Sequence, residues 1–90
     1  MSCFLVSYDL RKKEEVNYQL LWDEFKTLNG VKIQDSVYLV DLDNTQQEVL
    51  SHFTDFVHTD DRLLVAKLES RPGYTKALPG TNAWLNARFS

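Results

Sequence analysis

The sequence predicts an α+β sandwich in the order strand, helix, two strands, helix, strand, followed by a short C-terminal extension. Two observations carry this. Apolar residues recur at helical spacing in two segments, and β-favouring runs lie before, between and after them. Ninety residues suffice for one two-layer core, and 43% apolar with 26% charged residues is an ordinary globular composition.

The first strand is Cys3-Phe4-Leu5-Val6-Ser7-Tyr8-Asp9-Leu10. Phe4, Val6 and Tyr8 fall on one face, Leu5, Ser7 and Asp9 on the other, so both sides read as covered. It ends on a carboxylate with Arg11-Lys12-Lys13 behind it, and a polar loop runs to Glu14. Tyr18, Leu21, Trp22, Phe25 and Leu28 then recur every three or four residues, predicting a helix from about Glu14 to Leu28, stopped by Asn29-Gly30.

Val31 to Leu42 is β-favouring but broken at Asp35-Ser36, giving one bent strand or two short ones joined by a tight turn. Asp41-Leu42-Asp43-Asn44 reads as a turn. Thr45 with Glu48 makes a capping box, and Val49, Leu50, Phe53, Phe56 and Val57 form the apolar stripe of a second helix closed by Thr59-Asp60-Asp61. Arg62 to Leu68 is the last strand. In the tail, Arg71-Pro72-Gly73 and Leu78-Pro79-Gly80 mark loops, and Thr81-Asn82 caps a short helix from Ala83 to Phe89.

This order is that of a ferredoxin-like split βαβ sandwich, βαββαβ, over residues 1–69, with 70–90 packed on or beside it. Both helices are expected on one face of an antiparallel sheet, with the first and last strands central and the other face open. Phe4, Val6, Tyr8, Val31, Ile33, Leu64, Ala66 and Leu68 are expected under the helices. Leu5, Ser7, Asp9, Lys32, Gln34, Ser36, Leu63, Val65 and Lys67 are expected on the open face. Leu5, Leu63 and Val65 would then form an apolar patch, covered by a second copy packing sheet to sheet or by the tail with Trp84.

Composition narrows the function. A net charge of −3 disfavours tight, non-specific DNA binding by a single chain, leaving a local basic patch or one assembled across a dimer. One cysteine allows no internal disulfide, and Cys3 reads as a small core residue. The apolar runs fall well short of the roughly 20 residues needed to span a bilayer. No export leader opens the chain, so a cytoplasmic protein without a membrane partner is expected.

Val6-Ser7-Tyr8-Asp9-Leu10, together with Gln34, Ser36, Val37 and Tyr38 after the first helix, resembles the small CRISPR-associated endonuclease family of spacer acquisition. It also resembles the related virulence-associated protein D ribonucleases. The resemblance spans roughly residues 3–69 and implies a metal-dependent nucleic-acid phosphodiesterase, an endonuclease or endoribonuclease, acting as a homodimer. It implies Asp9 from each chain as ligand to a shared Mg2+, with Ser36 a secondary catalytic position. The acidic balance and the tail from Gly73 to Phe89 differ from the family's basic character and its final strand, which crosses to the partner. The alternative is a non-catalytic dimeric binding or assembly module of the same fold, holding a nucleotide or protein partner.

The residues also have plainer readings. Asp9 can simply end a strand or pair with Arg11. Arg11, Lys12 and Lys13, with Arg62, Arg71, Lys76 and Arg88, can track phosphates or be solvated. His58 reads as a helix C-terminal cap ahead of a general base, and Asp60-Asp61 as a turn ahead of a metal site. Ser7 lacks a histidine to activate it. Trp22 reads as core, and Trp84 as core ahead of a base-stacking surface.

Overall fold

The computed structural model describes residues 2–12, 14 and 17–89. Along the chain lie β1 (Ser2–Asp9), α1 (Gln19–Thr27), β2 (Val31–Gln34), β3 (Val37–Leu42), α2 (Gln46–Thr54), β4 (Arg62–Leu68) and α3 (Thr81–Asn86). The four strands form one antiparallel sheet in the order β2-β3-β1-β4, the expected α+β, ferredoxin-like βαββαβ arrangement. One part of the expectation is corrected: β1 and β3 are central, and β4 lies at an edge. The turn at Asp35-Ser36 makes β2 and β3 neighbours, and each helical crossover skips one strand, so β1 enters between β3 and β4.

α1 starts later than its apolar spacing predicts. Asn17 Oδ1 accepts the Gln19 N–H at 3.0 Å, and this local bond holds the backbone in a turn before the helix begins. Lys13, Glu15 and Val16 lie outside the described residues. The helix stops where expected. Asn29 takes the left-handed conformation at φ 57, and the Gly30 N–H donates to the Phe25 carbonyl at 2.8 Å. A Cβ on Gly30 would sit 3.0 Å from the Leu39 carbonyl oxygen, so this position requires glycine for close approach to β3.

α2 opens on the predicted capping box: Thr45 Oγ1 accepts the Glu48 N–H at 3.1 Å, and Glu48 Oε1 accepts the Thr45 N–H at 2.8 Å. Thr45→Ala is expected to cost about 1 kcal/mol. The check is a lower urea midpoint with an unchanged slope. The helix ends at Thr54, so His58 lies in the following turn and does not cap it. Asp41 and Leu42 belong to β3, which leaves only Asp43-Asn44 as the turn before α2.

The main core lies between the sheet and α1 with α2. Phe4, Val6, Tyr8 and Val40 of the sheet meet Leu21, Phe25, Val49 and Phe53, with Phe25 stacked on Tyr38 at 4.0 Å and on Phe53 at 4.6 Å. Two strands turn the opposite way from the sequence expectation. Leu63 and Val65 pack under the helices, whereas Val31, Ile33 and Leu68 pack on the second face. Register explains it: Val6 pairs with Val65, Ser7 with Leu64, Leu5 with Ala66 and Val31 with Leu39. Directly paired residues share a face.

That second face is not left open. α3 lays Trp84 and Leu85 on Cys3 and Leu39, flanked by Leu5, Val31, Ile33, Leu68 and Phe89. Of the two coverings considered, the tail supplies this one. The Trp84 indole N–H donates to the Asn29 carbonyl at 2.9 Å, and Arg88 stacks on the indole at 3.8 Å while pairing with Asp41 at 3.0 Å. Thr81 does not cap α3: its hydroxyl donates to the Leu78 carbonyl at 2.8 Å, and Gly80 stands at the cap with φ 95. The cover is partial, since Leu64 remains 57% exposed. No helix among the described residues is long and apolar enough to cross a membrane.

Candidate functional site

At the end of β1 remote from α3, three connecting segments converge: the loop after β1, the β2–β3 turn, and the turn before β4. Asp61 ties two of them together. Its carboxylate accepts the Arg11 N–H at 2.6 Å, the Tyr18 hydroxyl at 2.5 Å and the His58 N–H at 2.8 Å. Burial raises the cost of its charge, but these three bonds outweigh that and hold the carboxyl below its ordinary range. Asp61 therefore shapes the loop that carries the basic residues. Its role as a three-way clamp was not readable from the Asp60-Asp61 pair.

Asp9 faces Arg62 directly across the β1–β4 ladder. Arg62 Nη1 donates to Asp9 Oδ2 at 2.8 Å, and Arg11 Nη1 approaches the same oxygen at 3.5 Å. Arg62, 53 residues away in sequence, is thus the main partner, ahead of the expected Arg11. All three side chains are well exposed, so the cluster contributes orientation more than stability.

Two cavities lie beside this cluster. A groove of about 360 Å³ is lined by Arg11, Lys12, Arg62 and Asp60, with Lys12 Nζ 3.4 Å from Asp60. A cleft of about 220 Å³ is lined by Tyr8, Asp9, Leu10, Trp22, Lys32, Asp35 and Ser36. The structure therefore brings Asp9 and Ser36 into one cleft, and Arg11 and Lys12 into one groove; Lys13 lies outside the described residues. The turn is pinned to β1, because the Tyr8 N–H donates to the Ser36 carbonyl at 3.0 Å and the Tyr8 hydroxyl to the Asp35 carbonyl at 3.4 Å. Burial pushes the Tyr8 phenol well above its usual range, reinforced by Tyr38 and Asp35, so Tyr8 stays neutral here.

Not every basic residue joins this end. Arg88 is committed to Asp41 and Trp84, and Arg71 donates to Asn82 and Asn86 at 2.8 Å each. Of the cations beyond the first loop, Arg62 is the one that lines the groove.

Among the described residues, no group of three or more His, Cys, Asp or Glu is placed to hold a metal, and Asp9 already carries a guanidinium at 2.8 Å.

A family model described as CRISPR associated protein Cas2 matches residues 1–72, covering β1 to β4 and both cavities. No solved structure matches the chain.

Proposed function

Because the chain belongs to the CRISPR-associated Cas2 family, we propose that it acts as a homodimeric nucleic-acid-binding and assembly module of that family. The observation that supports this is the use of Asp9: its carboxylate orients Arg62 and Arg11 beside Lys12 in one groove. Guanidinium groups held in place by a carboxylate are preorganised donors for phosphate oxygens. A dimer would double this patch, which is how a chain of net charge −3 can grip a polyanion. The uncovered part of the second sheet face, with Leu64 beside Ser7 in the ladder, would meet the second copy.

A second reading rests on the shared cleft of Asp9 and Ser36: a metal-dependent phosphodiesterase that uses Asp9 from both chains. One experiment separates the two. Labelled single- and double-stranded DNA and RNA are titrated with the protein between about 50 and about 200 mM salt. Mg2+ or Mn2+ is then added, and cleavage is followed. Binding that weakens steeply with salt is expected, with Arg62→Ala and Arg11→Ala each lowering the logarithmic salt slope by about 1 per lost contact. Asp9→Asn should not abolish binding, and no cleavage is expected. Cleavage by the natural chain that disappears in Asp9→Asn would establish the phosphodiesterase instead. Absence of binding to every nucleic acid would overturn the module.

A further inference from the structure

The cleft beside the groove has the chemistry of a base pocket. At about 220 Å³ it is smaller than the roughly 300 Å³ at which pockets for drug-sized ligands begin, so it suits one planar ring system. One wall is the Trp22 indole, which α1 presents partly buried. It is braced by Tyr8 at 5.2 Å and Tyr18 at 6.5 Å between ring centroids. A fixed indole is a stacking platform for an unpaired base.

The same cleft is lined by three exposed polar side chains. Lys32, Asp35 and Ser36 make no side-chain hydrogen bond or ion pair among the described residues, and Lys32 and Asp35 do not pair with each other. Asp35 is an acceptor with two oxygens, Lys32 a donor, and Ser36 either. Guanine is the base that offers two adjacent N–H donors on its Watson–Crick edge, N1–H and N2–H, with the O6 acceptor next to them. Adenine, cytosine and thymine each present a single donor group to such a carboxylate.

The cleft is linked to the groove through the ion pairs of Asp9. Asp9 lines it while holding Arg62 and Arg11, which line the groove. A strand whose phosphates lie on those arginines can place a neighbouring base in the cleft only if that base is unpaired. Resting on the binding reading above, we propose that this cleft takes a single unstacked guanine, stacked on Trp22 and read by Asp35 and Lys32. The preferred partner is then single-stranded nucleic acid or a duplex end, rather than continuous duplex.

The test is fluorescence anisotropy on the full chain with labelled oligothymidines carrying one central guanine, adenine, cytosine or thymine. The guanine oligomer is expected to bind about tenfold tighter than the all-thymine one. Asp35→Asn and Lys32→Ala should each bring that ratio towards unity, with circular dichroism confirming the fold. Equal affinity for all four oligomers would overturn the base pocket while leaving the phosphate-binding reading intact. So would a guanine preference that survives both substitutions. If none of the oligomers or duplexes binds, both readings fall together.

Discussion

Trp84→Ala is expected to destabilise the protein by about 3–4 kcal/mol, within the range for truncating a buried Trp or Phe. Trp84 is only 9% exposed and is the centre of the second core, against Cys3 and Leu39. Its removal also loses the hydrogen bond to the Asn29 carbonyl and the stacking surface under Arg88, which pairs with Asp41. Among the described residues, Asp41 Oδ1 is buried without a hydrogen-bond partner, so that pair has little reserve if Arg88 moves. The measurement is chemical unfolding, with Leu85→Ala as a companion expected to cost about 2–4 kcal/mol. Both variants should also associate beyond the proposed dimer with concentration on size exclusion, because Leu5, Ile33 and Leu68 lose their cover. A Trp84→Ala chain as stable as the natural one would show that α3 does not pack on the sheet in solution.

Asp61→Ala is expected to cost about 2 kcal/mol, because three hydrogen bonds to one carboxylate are lost together, and partial solvent access keeps the figure low. The loss should depend on pH. The folded carboxyl ionises more readily than the unfolded one, whose pKa is about 3.9. Its contribution is therefore complete above that value and disappears as pH falls through the lower folded pKa. Unfolding midpoints of the natural chain and Asp61→Ala should differ at neutral pH and converge in acid. A gap that stays constant down to acid pH would show that the clamp does not act through its charge. The proposed phosphate binding in the groove should weaken as well, since Arg11 is positioned through its backbone by Asp61.

Much of the local structure was legible. The Thr45–Glu48 capping box, the Asn29-Gly30 stop and the turn at Asp35-Ser36 are set by neighbours a few residues apart. The face of β1 under the helices was legible too, because Phe4, Val6 and Tyr8 outweigh Leu5, Ser7 and Asp9 in apolar bulk. β4 offered no such contrast. Leu63 and Val65 on one side and Leu64, Ala66 and Leu68 on the other are both apolar, so period-two alternation cannot choose between them. β2 alternates cleanly, and Val31 and Ile33 turn to the second face because the tail, with Trp84 and Leu85, makes that face a second core. Of the site, Asp9, Ser36, Arg11 and Lys12 were named from sequence. Trp22 reads as core and does pack against it while also lining the cleft, and Asp35 and Lys32 carried no signal beyond a turn and a strand.

By itself, the sequence determined the βαββαβ order, the two helical stripes and a carboxylate ending the first strand, because each depends on spacing within a single element. Tertiary structure decided the rest: which strands are central, which face of β4 is buried, that α3 closes part of the second face, and that Asp9 meets Arg62. Those outcomes depend on register between segments tens of residues apart, and register is chosen by packing the whole core at once.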